Sequence, residues 1–235
     1  MPILALDTAT LVSSVALATQ DTLVAELTIQ TKLTHSELLM PHISQILSAA
    51  KLNKSDLKAI AVSIGPGSFT GLRIGLATAK AIAYALNIPL VGVPTLTALA
   101  YNCPVPEVYL APMLDAQKNN VYTALYRWES GELRELQPAQ VGMFDEVLEK
   151  LTVLNKPVMV MGEAAVMKKE HIISYGDNIL LAPAHLIIPR AASVAVLGHK
   201  MLNSELKNDV MTLEPLYIRR SEAEELWERR NGVCG

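Results

Sequence analysis

Leu4-Ala5-Leu6-Asp7-Thr8-Ala9 near the start of the chain and Ala111-Pro112-Met113-Leu114-Asp115-Ala116 near its middle share one construction. Each is a short apolar run that ends at an aspartate. Such a run, closed by polar residues, reads as a buried strand. A second run with strand character follows each, residues 13–18 after the first and residues 121–128 after the second. Two strand–turn–strand elements, each leading on into helical and strand pattern, read as one α/β unit occurring twice. The competing reading is chance, because short βα units resemble one another.

Outward from these anchors the pattern continues. Residues 23–29 form a third strand after the turn at Gln20-Asp21. Residues 36–50 switch to helical period, with Leu39, Ile43, Ile46 and Ala50 on one face. Residues 59–64 and 90–93 read as buried strands on either side of a long helix over residues 71–86. In the second half, residues 132–136 suggest a further strand and residues 158–161 another. Residues 144–151, 164–171 and 191–203 read as helices. The expected fold class is α/β, with each lobe a mixed β-sheet flanked by helices. It resembles the two-lobed actin-like (ASKHA) ATPase superfold, where two such elements face a nucleotide across a cleft. The expected lobes are residues 1–103 and 104–217. A charged tail follows over residues 218–235, read as an exposed helix or a partner-binding arm.

Composition narrows the function. The chain has 235 residues, half of them hydrophobic but only 5% aromatic, so its core must be aliphatic. A chain of this size needs no metal or disulfide to hold it together. Lys and Arg number 20 against 23 Asp and Glu. A protein gripping many phosphates alone should be more basic, so any nucleic acid is expected to be held through another subunit. Cys103 and Cys234 make no framework, which points to a reducing, cytoplasmic setting. No basic-then-apolar leader opens the chain and no run is long enough to span a membrane, so neither is expected.

The segment Ile64-Gly65-Pro66-Gly67-Ser68-Phe69-Thr70-Gly71-Leu72-Arg73 places a glycine-rich turn between strand and helix. A phosphate cradle is one use of such a turn. The known cradles do not fit: Gly71 is followed by Leu72-Arg73 rather than Lys-Ser/Thr, and Thr70 stands where a dinucleotide fingerprint needs its third glycine. The GxSxG elbow of hydrolases fails as well, because Ser68 directly follows Gly67. In the helix, Gly71, Gly75, Ala79 and Ala83 recur every four residues. They form a strip without bulk on which a second helix could lie closely. Packing on the chain's own sheet is the alternative. The expected partner interface joins this strip and Leu72 and Leu76 to Leu39, Met40, Ile43 and Leu47. On that reading Gly75→Leu blocks pairing and leaves the monomer folded.

Several long segments then agree, in order, with one family. They are GPGSFTGLRIGLATAKAIAYAL (65–86), ILALDTAT (3–10), THSELLMPHI (34–43), IPLVGVPTLTALA (88–100), MLDAQKNNVYTALY (113–126) and, near the end, PLYIR (215–219). The chain resembles the TsaB (YeaZ) family. The resemblance implies a non-catalytic partner of TsaD, the paralogue that transfers threonylcarbamoyl to N6 of adenosine 37 in tRNA. It implies a heterodimer with TsaD, docking of a third subunit, TsaE, and a homodimer when the chain is alone. The paralogue binds a metal through a His-x-x-x-His pair. Thr95 and Leu99 occupy the matching positions here, so no metal and no transfer chemistry are expected. Asp7, Thr8 and Asp115 correspond to nucleotide-facing positions of the superfold. They are weak, vestigial candidates: no cofactor is required, and ATP or ADP would sit at the subunit interface if bound.

Two other function classes stay open. One is a nucleotide-hydrolysing or sugar-kinase-like enzyme acting alone, which requires turnover dependent on Asp7. The other is a peptidase, a reading inherited from the family's older naming. The five histidines, His35, His42, His171, His185 and His199, make no metal pair or triad that would support it.

Overall fold

The computed structural model describes residues 1–30 and 35–219. The part of the expected tail beyond Arg219 lies outside these residues. The described residues build two five-stranded sheets of the same design. In the first, β1 (Ile3–Asp7) is central. It pairs antiparallel with β2 (Val12–Ala18), which pairs with β3 (Leu23–Gln30). On its other side β1 pairs parallel with β4 (Ala59–Gly65), reached through helix α1 (His35–Ala49). Helix α2 (Phe69–Leu86) then leads to β5 (Leu90–Pro94), parallel to β4.

Helix α3 (Thr95–Tyr101) carries the chain across to the second sheet. There β6 (Tyr109–Asp115) takes the place of β1. It is antiparallel to β7 (Asn120–Glu129), which pairs with β8 (Glu132–Met143). After α4 (Phe144–Thr152), β9 (Val158–Met161) runs parallel to β6. Next come α5 (Glu163–Met167), α6 (Lys169–Ile173), β10 (Ile179–Leu181) beside β9, and α7 (Ala184–Ile187). Helix α8 (Ala191–Asn203) follows. Each lobe therefore has a central strand ending in aspartate, an antiparallel meander on one side and parallel strands on the other. The duplicated actin-like α/β organisation is present.

Every residue of β1 is buried, because both faces of its sheet are covered. Alternate side chains point to opposite faces. Leu4 and Leu6 meet Leu39, Ile43 and Leu76 of α1 and α2. Ile3 and Ala5 meet Ala191, Val194 and Ala195 of α8. This last contact corrects the expected lobe boundary: α8, placed by the sequence in the second lobe, packs on the first sheet. The reason is steric. The sheet presents the small residues Ala5, Ala16 and Ala61 on that face. Gly198 of α8 comes so close that a Cβ there would lie 2.7 Å from the Ala61 Cβ.

The chain then stays with the first lobe. The Asn208 N–H donates to the Leu90 carbonyl at 2.9 Å, and its side-chain oxygen accepts from Gly92 N–H at 2.8 Å. Three other details differ from the sequence reading. The helix expected over 164–171 is two short helices meeting at Lys168, β8 continues to Met143, and α3 appears between the lobes.

Gly198→Ala tests the tight α8 contact. Helix propensity favours alanine by about 1 kcal/mol, whereas overpacking costs about 1–3 kcal/mol. The expected result in chemical denaturation is a net loss of stability, with part of it recovered when Ala61→Gly is added.

Candidate functional site

The loop from Gly67 to Thr70 and the turn from Asp115 to Gln117 face each other across a cleft of about 650 Å³. Thr10 and Leu11 line it too, with Tyr122, Glu163, Met167, Tyr217 and Arg219. The two aspartates that define the repeat have different surroundings. Asp115 lies exposed in the cleft, its Oδ1 accepting from Gln117 N–H at 3.0 Å. Asp7 is fully buried. Its Oδ1 accepts from Ala9 N–H at 3.0 Å and its Oδ2 accepts from the Ser63 hydroxyl. Thr8 is buried too, its hydroxyl donating to the Gly71 carbonyl at 2.7 Å. Of the three expected nucleotide-facing residues, only Asp115 reaches the cleft. The glycine-rich loop seals the other two: Ser68 N–H donates to Ala9 O at 2.7 Å, and a Cβ on Gly67 would lie 2.3 Å from that oxygen.

The electrostatics follow from this placement. Glu163, at the start of α5, shares the cleft with Asp115. Burial, opposed by a hydrogen bond from the Asp115 backbone, pushes the Glu163 carboxyl above its usual range, and the Asp115 charge adds to the rise. Arg219 reaches into the same space and donates from Nη1 to the Ala116 carbonyl at 2.6 Å. Among the described residues the cleft walls thus carry two carboxylates and one guanidinium. Among the described residues no group of three or more His, Cys, Asp or Glu could hold a metal ion. Thr95 accepts from Gly65 N–H at 3.1 Å, and Leu99 is part of the core. No described helix is long and apolar enough to cross a membrane.

The second candidate surface is the α1–α2 layer, and here the structure overturns an expectation. Leu39, Ile43 and Leu47 of α1 and Gly71, Leu72, Gly75, Leu76, Ala79 and Ala83 of α2 are buried within their own chain. Of the expected interface residues only Met40 is exposed, at 48%. The glycine–alanine strip faces the end of β1. A Cβ on Gly71 would lie 2.1 Å from the Thr8 carbonyl oxygen, and one on Gly75 would lie 2.2 Å from Thr8 Oγ1. Gly75→Leu would strike Thr8 before any partner.

A different strip faces outward. Ala77, Ala81 and Ala85 recur every four residues on the exposed side of α2. Beside them runs an apolar groove of about 470 Å³, lined by Met40, Ile43, Leu47, Leu57, Ile82 and Leu86 among others. The sequence did carry this second four-residue period, two positions out of step with the first. What it lacked was a polar face to say which strip lies inside.

Taken together, two sheets of repeated topology about a central cleft define a protein of the actin-like ATPase fold class. A solved structure of that kind, the ethanolamine utilization protein EutJ from Carboxydothermus hydrogenoformans, superposes with a TM-score of 0.52 at 14% identity, covering 84% of this chain and 89% of its own. A Pseudomonas aeruginosa protein, described as uncharacterized with similarity to peptidase YeaZ, gives a TM-score of 0.77 at 25% identity over 93% of this chain and 99% of its own. The family model TsaD, tRNA N6-adenosine threonylcarbamoyltransferase, matches residues 22–227. A Bacillus subtilis protein named tRNA threonylcarbamoyladenosine biosynthesis protein TsaB is 35% identical over 97% of this chain and 98% of its own length. The chain belongs to the TsaB family, a branch of this TsaD-like group.

Asp7 and Gly75 supply tests of the sealed end of β1. Burial raises the Asp7 carboxyl above its ordinary value, against the opposing pull of the Ser63 and Ala9 hydrogen bonds and His35. The folded chain therefore holds this proton more tightly than the unfolded chain does. Its contribution favours folding increasingly as pH falls through the raised value, and is complete below the unfolded value. Asp7→Asn should remove that pH dependence from the stability curve. Asp7→Ala should cost about 1–3 kcal/mol for each buried donor it leaves unpaired. For Gly75→Ala the expected loss is about 1–3 kcal/mol. A cycle with Thr8→Ala, which removes the clashing oxygen, should show coupling between the two positions in thermal melts.

Proposed function

We propose that this chain is a non-catalytic subunit in the synthesis of N6-threonylcarbamoyladenosine in tRNA. It docks a TsaD-like sister subunit through the outer face of α1 and α2. The carrying observation is the exposed Ala77–Ala81–Ala85 ridge beside an apolar groove. Alanines at this spacing let a second helix approach closely, and the adjoining apolar surface gains free energy when covered. The name of the Bacillus subtilis relative supports the pathway. The matched TsaD model supports a paralogous subunit as the partner.

The site chemistry agrees with a supporting role. Thr95 and Leu99 stand where the paralogue is expected to hold its metal, and both are committed to packing within this chain. Asp7, on which the enzymatic alternative depends, is walled off from the cleft. In this reading TsaE joins the assembled pair, tRNA is held through the complex, and the chain alone pairs with a second copy through the same face.

Ala81→Arg is the direct test. Position 81 is exposed, so the monomer's stability should change by no more than about 0.5 kcal/mol. Burying an unpaired guanidinium at a docked interface should weaken pairing by about 2 kcal/mol or more, roughly thirtyfold. Co-purification with TsaD at the wild-type yield would refute the proposed face.

A further inference from the structure

The C-terminal stretch after α8 does more than cover β5. Lys80 of α2 donates from Nζ to the Met211 carbonyl at 3.0 Å. Further on, Leu216 N–H donates to the Ile64 carbonyl at 2.7 Å, and a Cβ on Gly65 would lie 2.8 Å from the Leu216 oxygen. The backbone here is pressed flat against the end of β4. The next residue, Tyr217, stacks on Phe69 with ring centroids 5.0 Å apart, and its hydroxyl accepts from Arg73 Nε at 3.0 Å. The Arg73 guanidinium in turn lies 3.8 Å over the Phe69 ring. Residues 211–217 therefore follow the flank of α2 and grip its first turn.

Two residues later the attachment changes lobe. Arg219 donates to the carbonyl of Ala116, in the β6–β7 turn of the second sheet. That turn lies across the cleft from the loop that Tyr217 abuts. The lobes are also joined by α3, where Thr95 bonds to Gly65 of the first lobe and Thr97 to Tyr126 of the second. Any opening of the two lobes would turn about that packed connecting helix. A tie across the cleft mouth then sets the opening.

We propose that residues 216–219 are an interlobe latch: Tyr217 fixes the latch to the first turn of α2, and Arg219 fastens it to the second lobe at Ala116. The guanidinium suits that position because Asp115 and Glu163 line the same cleft. Because α2 also carries the docking face, the latch ties the position of that helix to the second lobe. This last link rests on the docking function proposed above. The latch itself does not.

The experiment uses the full chain without a partner. Lys51 and Val153 are exposed on opposite lobes. Cysteines placed there, with Cys234→Ser, take spin labels for pulsed dipolar distance measurement. The wild-type background should give a narrow distribution. Arg219→Ala and Tyr217→Ala should each broaden it, and should speed amide exchange in the 116–120 turn about tenfold while β1 and β4 stay protected. An unchanged distribution in Arg219→Ala overturns the latch. So does broadening in Arg219→Ala without broadening in Tyr217→Ala. A broadened distribution in a variant whose β1 amides are also exposed counts as general loosening and overturns it as well. Ala81→Arg in the same assay should match wild type, so failure of the docking face and failure of the latch give separate signals.

Discussion

The structure depends on one close approach, between the first two turns of α2 and the end of β1. Gly71 and Gly75 leave room for Thr8, and Thr8 uses that room to donate a hydrogen bond back to the Gly71 carbonyl. Two glycines in a helix cost about 1 kcal/mol each in propensity. The burial they permit offsets it: with α2 drawn down, Leu72, Leu76, Ala79 and Ala83 are all sealed into the chain's own interior. The same approach lays the glycine-rich loop over Asp7. The aspartate that the sequence offered as a nucleotide-facing candidate is part of the interior.

That commitment explains the asymmetry between the lobes. The two β-hairpins are built alike, yet Asp7 is closed in and Asp115 stands open. The difference comes from the cover over each hairpin's turn. The first has α2 and its loop packed upon it. The second has the cleft, with Glu163 and the Arg219 side chain as neighbours. An exposed alanine strip on the outer side of α2 and a closed inner side are then two consequences of one packing choice.

Much of this was legible in the sequence, for physical reasons. Buried strands announce themselves as short apolar runs, and the repeated Asp-terminated run disclosed the duplication. The face of α2 was not legible. Apart from Arg73 and Lys80 that helix is nearly apolar all round, so period alone could not separate the inner strip from the outer one. Helix α3 was hidden for a similar reason: Thr-Leu-Thr-Ala-Leu-Ala-Tyr is buried on several sides at once and shows no polar stripe. The lobe to which α8 belongs turned on alanine-to-alanine contact, and small residues fit either sheet equally well on paper. Asp7 and Asp115 had the same local sequence grammar. Only tertiary cover distinguishes them.

The return of α8 to the first sheet sets the order in which the molecule can be completed. While the chain has been made only as far as α3, Ile3, Ala5, Ala16 and Ala61 lack the cover that α8 gives them on one side. That apolar surface must wait for Ala191 and its neighbours, a delay on the order of ten seconds at ordinary rates of translation. The second lobe, whose core is contiguous in the chain from β6 to β10, can close before the first one does. The half that emerges earliest thus carries an incompletely covered apolar face until α8 has been made.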